Sequence, residues 1–319
     1  MTVGGPSIAI RHSLNMPKVG LGTWQSTAAE VKAAVKAAVH AGYRLIDTAS
    51  CYQNEAAIGE AIKELINDKV VTREELFITT KAWVNELDPL KIDHCLNQSL
   101  KRLQLNHVDL YLAHMPTAFE DDMSMPKIDI PVESIWKGFD NIFNKGLAKA
   151  VGVSNWNNDQ IRRALKTGLV PVHNSQVEMH LYFPQHEHIE FCKQNNISVT
   201  SYATLGSPGR VNFKLPNGAK LNWAPAPSEM EDPNVIALAK KYNKTPAQIL
   251  LRYALDRGVA IIPKSINEGR IKENFNLFDF SLTAEEITLL QSTSHNQRLF
   301  LQDFMAGHKE DAFKDERTQ

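Results

Sequence analysis

Short apolar runs alternate with amphipathic segments along nearly the whole 319-residue chain. The runs are rich in Val, Ile and Leu, which is typical of strands buried on both faces of a parallel sheet. The segments between them repeat apolar residues at helical spacing, which predicts helices that cover the sheet. The predicted strands end at Thr23, Asp47, Lys81, His114, Ser154, Val177, Tyr202 and Ile262.

Capping signals mark the ends of several predicted helices. The segment Thr27-Ala-Ala-Glu30 is a capping box for the first helix, which Gly42 ends. Asp88-Pro89 is predicted to supply the N-cap and first residue of a later helix, and Thr283-Ala-Glu-Glu286 begins the last one. Residues 6–18 precede the first strand–helix unit and predict a short hairpin.

Eight strand–helix units in succession predict an α/β protein, a single (β/α)8 TIM barrel that spans residues 1–319. Length alone also allows two domains, but the pattern shows no break between them. We expect the hairpin of residues 6–18 to cap the barrel bottom and long loops, such as 115–130 and 206–227, to lie at the C-terminal face. Active sites of such barrels lie at that face.

Polar residues end three of the buried strands, at Asp47, Lys81 and His114, and Tyr52 follows Asp47 closely. Charged side chains are costly to bury unless they are paired, so we expect these residues to share one site. A tyrosine hydroxyl titrates near about 10, and a neighbouring ammonium lowers that pKa. Lys81, kept charged by Asp47, is therefore expected to make Tyr52 a proton donor, with His114 as a further donor.

Composition narrows the classes of function. The formal net charge is −1, which gives no argument for nucleic acid or an anionic membrane as partner. No apolar run reaches the roughly 18 residues of a membrane span, and the first residues lack the plan of a signal peptide. The three cysteines are scattered, as is typical of a reducing compartment. We expect a cytoplasmic monomer that acts on a small molecule.

Two other patterns argue against particular sites. Gly20-Leu-Gly22 has no third glycine at the spacing of a dinucleotide-binding fingerprint, so a Rossmann loop is not predicted. His186 and His188 have no Cys or His partners at a zinc spacing. We predict no metal site and expect both histidines at the surface.

Seven motifs, each at the end of a predicted strand, resemble those of the aldo-keto reductase superfamily. They are Gly20-Leu-Gly-Thr-Trp24, Asp47-Thr-Ala-Ser-Cys-Tyr-Gln-Asn-Glu55, Thr80-Lys-Ala-Trp83, Asp109-Leu-Tyr-Leu-Ala-His114, Gly152-Val-Ser-Asn155, Asn174-Ser-Gln-Val-Glu178 and Ile262-Pro-Lys-Ser265. The catalytic tetrad of that family falls on Asp47, Tyr52, Lys81 and His114. The resemblance implies reduction of aldehydes and ketones by NADPH, with Tyr52 as general acid and His114 holding the carbonyl oxygen.

The resemblance also implies a binding site for NADPH (or NADP+). Amide and hydroxyl groups at the ends of the middle strands would bind the nicotinamide carboxamide, and Tyr202 would stack on its ring. The loop after Tyr202 would cover the pyrophosphate, and cations near the last strand would bind the 2′-phosphate, with adenine contacts beyond. The residues expected to bind the cofactor are Thr23, Trp24, Asp47, Ser154, Asn155, Gln176, Tyr202, Leu205, Ser207, Lys264, Ser265, Arg270, Glu273 and Asn274.

The substrate pocket is expected to be mainly apolar. Its candidate residues are Trp24, Trp83, Met115, Phe119 and Phe300, each of which ordinary packing would also explain. Met115 stands where many relatives have Trp, and the loop from His114 to the helix at Trp136 is shorter than in relatives. A flexible thioether in place of a rigid ring predicts a wider or more adaptable pocket.

Two other functions fit the same motifs. One is a redox-sensing or structural module of the same fold that binds NADPH. The other is a dehydrogenase that works mainly in the oxidative direction, for instance on steroids or other alcohols, because the tetrad is common to both directions.

Overall fold

The centre of the molecule is a barrel of eight parallel strands, in a computed structural model that describes residues 3–120, 130–213 and 223–317. The strands are β1 (Ser7–Arg11), β2 (Leu14–Pro17), β3 (Gly20–Gly22), β4 (Leu45–Asp47), β5 (Phe77–Ala82), β6 (Val108–Ala113), β7 (Ala148–Ser154), β8 (Asn174–Glu178), β9 (Ser198–Tyr202) and β10 (Ala260–Ile261). The helices are α1 (Ala28–Ala41), α2 (Glu55–Asn67), α3 (Ile92–Leu103), α4 (Val132–Asn144), α5 (Asn158–Lys166), α6 (His186–Gln194), α7 (Pro233–Tyr242), α8 (Pro246–Asp256), α9 (Glu268–Phe275) and α10 (Ala284–Gln291).

The barrel closes between its first and last strands. Strands β3 to β10 lie side by side in chain order, and parallel bridges join Val19 to Ile261 and Gly22 to Lys264. The N–H of Ile261 donates to the carbonyl of Lys18 across this seam at 2.8 Å. The predicted (β/α)8 barrel is therefore confirmed, and every barrel strand ends within one residue of its predicted position.

Glycine at the seam has a packing reason. A Cβ on Gly22 would lie 2.5 Å from the carbonyl oxygen of Ile262, and a Cβ on Gly20 would lie 2.4 Å from Cγ of Leu45. Both distances are too short for a side chain. The motif Gly20-Leu-Gly22 thus allows close approach of neighbouring strands, without any Rossmann loop.

The hairpin of β1 and β2 plugs the barrel bottom, as predicted. The two strands pair antiparallel, and Ile10 and Met16 are buried. They pack against Leu45 and Phe77, the first residues of β4 and β5, and against Leu110. The opposite end of the barrel, where the strands finish, is left for the site.

Most predicted caps are confirmed and one is wrong. The Thr27–Glu30 box and the Thr283–Glu286 box are both present, and Gly42 adopts φ 108° at the end of α1. Asp88-Pro89 does not begin α3, which starts at Ile92. The carboxylate of Asp88 instead accepts from the N–H of Leu90 at 3.0 Å, so these residues form a separate turn.

The two long loops at the C-terminal face are described in part. Residues 121–129 of the loop after β6 and residues 214–222 of the loop after β9 lie outside the described residues. The second loop contains short 3-10 helices at Pro208–Asn212 and Glu229–Glu231. Within the three described ranges, no helix is both long enough and apolar enough to span a bilayer.

Candidate active site

A buried ion pair lies where β4 and β5 end. The side chain of Lys81 is fully buried, and its Nζ pairs with Oδ1 of Asp47 and donates to the carbonyl of Thr48 at 2.9 Å. Gln176, from β8, donates from Nε2 to Oδ2 of Asp47 at 2.7 Å. Both carboxylate oxygens therefore have charged or polar partners, as a buried carboxylate requires.

Tyr52 follows β4 in a single 3-10 turn and faces this pair. Nζ of Lys81 lies 5.2 Å from the centre of its ring, and the ring of His114 lies edge-on at 5.7 Å. The four residues predicted to meet do so. The expected lowering of the Tyr52 pKa is wrong for the protein alone: burial, with a smaller contribution from Asp47, raises it well above 10. The phenol is protonated at physiological pH.

His114 is buried beside Tyr52 as a neutral imidazole. Burial, and to a smaller extent the Lys81 ammonium, hold its pKa well below 6.5. Its Nδ1 lies 3.6 Å from Sγ of Cys51, and burial raises the pKa of that thiol to about 12. A protonated thiol can donate to Nδ1, and in that arrangement the ring hydrogen lies on Nε2. The indole of Trp83 packs edge-on against His114 at 4.9 Å.

The residues predicted for the nicotinamide end lie beside the tetrad. The Nδ2 of Asn155 donates to Oγ of Ser154 at 3.1 Å and to the carbonyl of His114 at 3.0 Å. The hydroxyl of Tyr202 donates to Oδ1 of Asn155 at 2.6 Å. Thr23 donates from Oγ1 to the main-chain carbonyl of Asp47 at 2.8 Å. These contacts form one network of donors and acceptors of the kind that recognises an amide.

Two cations lie together at the start of α9. Lys264 and Arg270 are exposed, and neither has an ion-pair partner within residues 3–120, 130–213 and 223–317. Partial burial lowers the pKa of Lys264, and Arg270 lowers it further against an opposing contribution from Glu30. Neighbouring cations without a carboxylate partner fit a phosphate group. Lys264 and Arg270 are therefore candidates to bind a phosphate group, as the sequence predicted.

Ser265, predicted to bind the 2′-phosphate with the two cations, lies in the turn before α9, and the predicted adenine contacts Glu273 and Asn274 lie on the helix itself. Ser265 is buried in the turn, where its Oγ accepts from the N–H of Asn267 at 3.1 Å. Glu273 accepts from the hydroxyl of Thr245 at 3.0 Å, and Asn274 is buried.

A buried arginine joins the two described ends of the loop after β9. The guanidinium of Arg210 donates to the carbonyls of Gly206 at 3.2 Å, Ser207 at 3.4 Å and Ala224 at 3.0 Å. Leu205 packs against the main core next to this point. The loop predicted to cover the pyrophosphate is thus held at residues before and after its centre.

Aromatic rings surround the position next to Tyr202. The ring of Phe300 lies 5.8 Å from Tyr202, 5.9 Å from Trp24 and 5.2 Å from Trp223. Trp24 also contacts Phe213 at 5.3 Å. Trp24 and Phe300 therefore lie together as predicted, while Trp223 and Phe213 are additional aromatic residues that no sequence motif indicated.

Met115 and Phe119 lie in a separate packed cluster. They are 2% and 6% exposed and pack with Val84, Met305 and Phe313, next to the partly buried Trp83. Both side chains make ordinary packing contacts, which is the alternative that the sequence left open for Phe119. Met115 directly follows His114 in the chain, and its side chain belongs to the same cluster as Met305 and Phe313.

Two histidine predictions have different outcomes. His186 is exposed as expected, but His188 is buried, so its predicted surface position is wrong. Nδ1 of His188 donates to Oδ1 of Asn158 at 2.7 Å, and its Nε2 lies 2.9 Å from Oγ of Ser175, so both partners come from other elements. Among the described residues, no three His, Cys, Asp or Glu side chains are grouped to hold a metal ion.

Comparisons with known proteins extend the resemblance. The model of the aldo/keto reductase family matches residues 18–295. Aldo-keto reductase family 1 member A1 of Gallus gallus is 41% identical over 308 residues, which cover 93% of this chain and 91% of that protein. The aldose reductase of Schistosoma japonicum superposes with a TM-score of 0.86 at 36% identity, over 96% of this chain and 97% of that chain. An aldo-keto reductase of Bombyx mori, solved in complex with NADP, gives a TM-score of 0.87 at 37% identity, over 96% and 98%.

Proposed function

This chain belongs to the aldo/keto reductase family, and we propose that it reduces aldehydes and ketones to alcohols with NADPH. It is an oxidoreductase that acts between CH–OH and carbonyl groups with NADP(H) as cofactor. The observation that carries the proposal is the buried Asp47–Lys81 pair beside Tyr52 and His114, at the same barrel face as Lys264 and Arg270, two cations with no ion-pair partner among the described residues.

The chemistry divides between the cofactor and the protein. Bound NADPH supplies the hydride that goes to the carbonyl carbon. Tyr52 gives its phenolic proton to the oxygen, which becomes more basic as the carbonyl is reduced. The Lys81 ammonium, held by Asp47 and the Thr48 carbonyl, stabilises the negative charge left on Tyr52.

His114 acts as a neutral hydrogen-bond donor. With its hydrogen on Nε2, it holds the carbonyl oxygen beside the Tyr52 hydroxyl and stabilises developing negative charge. Ser154, Asn155 and Gln176 would hold the nicotinamide carboxamide, and Lys264 with Arg270 the 2′-phosphate. Trp24, Trp83 and Phe300 would contact the substrate.

Burial raises the pKa of Tyr52 well above 10, so the phenol carries the proton that a general acid must give. The same groups would serve alcohol oxidation in reverse. We also propose a monomer and a cytoplasmic location, the latter in keeping with Cys51, Cys95 and Cys192, which form no disulfide among the described residues.

The test is oxidation of NADPH in the presence of a panel of aldehydes, ketones and sugars. We expect Tyr52→Phe to lower kcat by roughly 10²- to 10⁴-fold, the usual contribution of a general acid, and to leave the NADPH dissociation constant unchanged. The control is Tyr242→Phe, which removes a hydroxyl bonded to Glu286 on the outer helices. Full activity of Tyr52→Phe would exclude the mechanism, and NADPH binding without turnover of any carbonyl would favour a binding module.

A further inference from the structure

A second buried cluster of charges lies at the end of β8, outside the tetrad. Glu178, His180 and Glu229 are each no more than 3% exposed. Nε2 of His180 lies 3.0 Å from Glu178 Oε1, and Nδ1 lies 2.5 Å from Glu229 Oε1 in an ion pair rather than an aligned hydrogen bond. Burial alone lowers an imidazole pKa, but the two carboxylates outweigh it and raise the pKa of His180 to about 9. His180 is therefore a buried imidazolium at neutral pH.

The first carboxylate holds the C-terminal segment, which we define as residues 297–305. Glu178 accepts from the main-chain N–H of Leu299 at 2.5 Å and of Phe300 at 2.9 Å. These bonds fix the backbone at Phe300, whose ring lies 5.8 Å from Tyr202. The position of a predicted substrate-pocket residue thus depends on a carboxylate paired with His180.

The second carboxylate, Glu229, belongs to the loop after β9. We call the described parts of this loop that precede it, residues 203–213 and 223–228, the cofactor-loop ends. Glu229 directly follows the second end and accepts from the N–H groups of Leu181 and Tyr182 at 3.4 and 3.3 Å. Arg210, bonded to Ala224, joins one loop end to the other. The imidazolium of His180 is therefore shared by the loop and the C-terminal segment.

One direct bond also joins the two segments. Nε2 of Gln297 donates to the carbonyl of Pro225 at 3.0 Å, and the N–H of Gln297 donates to the carbonyl of Tyr182 at 2.8 Å. Loop, C-terminal segment and the residues after β8 meet at one point.

We propose that Glu178, His180 and Glu229 are positioning residues that couple the cofactor-loop ends to the placement of Phe300. The proposal rests on the function proposed above, because it assigns the loop to NADPH and Phe300 to the substrate. It predicts that a change on the loop side alters substrate selection, although Glu229 lies among the loop contacts and not in the substrate pocket. NADPH retention and substrate KM then change together.

The test is Glu229→Gln in the full-length protein, which keeps the side-chain size and removes the charge. Its matched control is Glu231→Gln, an exposed position in the same 3-10 turn. We expect NADPH dissociation, followed by stopped-flow fluorescence, to become roughly tenfold faster, as loss of a charged contact implies. KM for a bulky aldehyde is expected to rise severalfold, while the single-turnover rate of hydride transfer stays within about twofold.

Hydrogen exchange without NADPH gives a readout that does not need turnover. Glu229→Gln is expected to raise exchange in the cofactor-loop ends and in residues 297–305 together, and Glu231→Gln in neither. Glu229→Asp, which keeps the charge, is expected to shift exchange and KM in the same direction by less, and it serves if the glutamine variant folds poorly. Faster exchange confined to the loop, with KM unchanged, would overturn the coupling. A wild-type protein that reduces no carbonyl would instead overturn the proposed function and leave the exchange result readable.

Discussion

At the scale of single residues, the tetrad has a defined protonation state. Burial holds the pKa of His114 well below 6.5 and that of Tyr52 well above 10. Neither group therefore titrates between about pH 6 and 8, where an unperturbed histidine would. We expect kcat/KM for an uncharged aldehyde at saturating NADPH to be flat over this range. The measurement is a pH–rate profile of the wild-type enzyme.

A matched variant shows whether a given ionisation belongs to the site. His107 is only partly buried, and its contacts lie with Arg73 and Lys149, away from the tetrad. His107→Gln should leave the flat profile unchanged. A single ionisation near about 6.5 that disappears in His114→Gln would mean that His114 is charged in the free enzyme.

The residue types were predictable from sequence, but the direction of the Tyr52 shift was not. A lysine, an aspartate and a tyrosine at strand ends indicate an ion pair beside a phenol, and the pair is present. The Tyr52 pKa depends on how completely the surrounding chain excludes water, and here desolvation exceeds the effect of the ammonium. That balance depends on neighbours from several elements, which a local pattern does not contain.

At the scale of elements, the predicted preference for NADPH over NADH depends on two cations, one just before α9 and one in its first turn. Lys264 and Arg270 lie there without carboxylate partners in the described ranges. We expect Arg270→Ala to raise the NADPH dissociation constant roughly tenfold or more and to leave that of NADH within about twofold, because NADH has no 2′-phosphate. Fluorescence titration with both cofactors measures the difference.

Another cation on α9 supplies the control for this variant. Lys272 lies two positions from Arg270, but it pairs with Glu268 at 2.7 Å on the exposed side of the helix. Lys272→Ala should change neither dissociation constant appreciably. Equal weakening of NADPH and NADH by Arg270→Ala would remove the assignment of this residue to the 2′-phosphate.

Element ends were predictable where the signal is local. The capping boxes at Thr27 and Thr283 satisfy N–H groups within a few residues, so the sequence contains the whole interaction. The predicted helix start at Asp88-Pro89 was wrong because the Asp88 side chain can also close a turn, which it does with Leu90. The predicted surface position of His188 was wrong because its partners Ser175 and Asn158 come from other elements. Glu229 had no local signal for the same reason.

At the scale of the whole molecule, the contacts argue for a single cooperative unit. The seam between β3 and β10 joins the first and last parts of the barrel, and the hairpin of β1 and β2 packs into its bottom. Glu178, on β8, binds the main chain at Leu299 and Phe300 near the end of the chain. Segments far apart in sequence therefore depend on one another, as expected if residues 1–319 form one domain.

A single domain predicts a single response to cofactor. If NADPH binds only the folded protein, a concentration about 100 times its dissociation constant raises the free energy of unfolding by about 2.7 kcal/mol. Because the predicted cofactor residues range from β3 to α9, we expect one thermal transition that moves as a whole to higher temperature. Calorimetry with and without NADPH measures this, and Arg270→Ala should show a smaller shift at the same concentration. Two transitions, only one of which responds to NADPH, would contradict the single domain, because part of the chain would then unfold independently of the cofactor site.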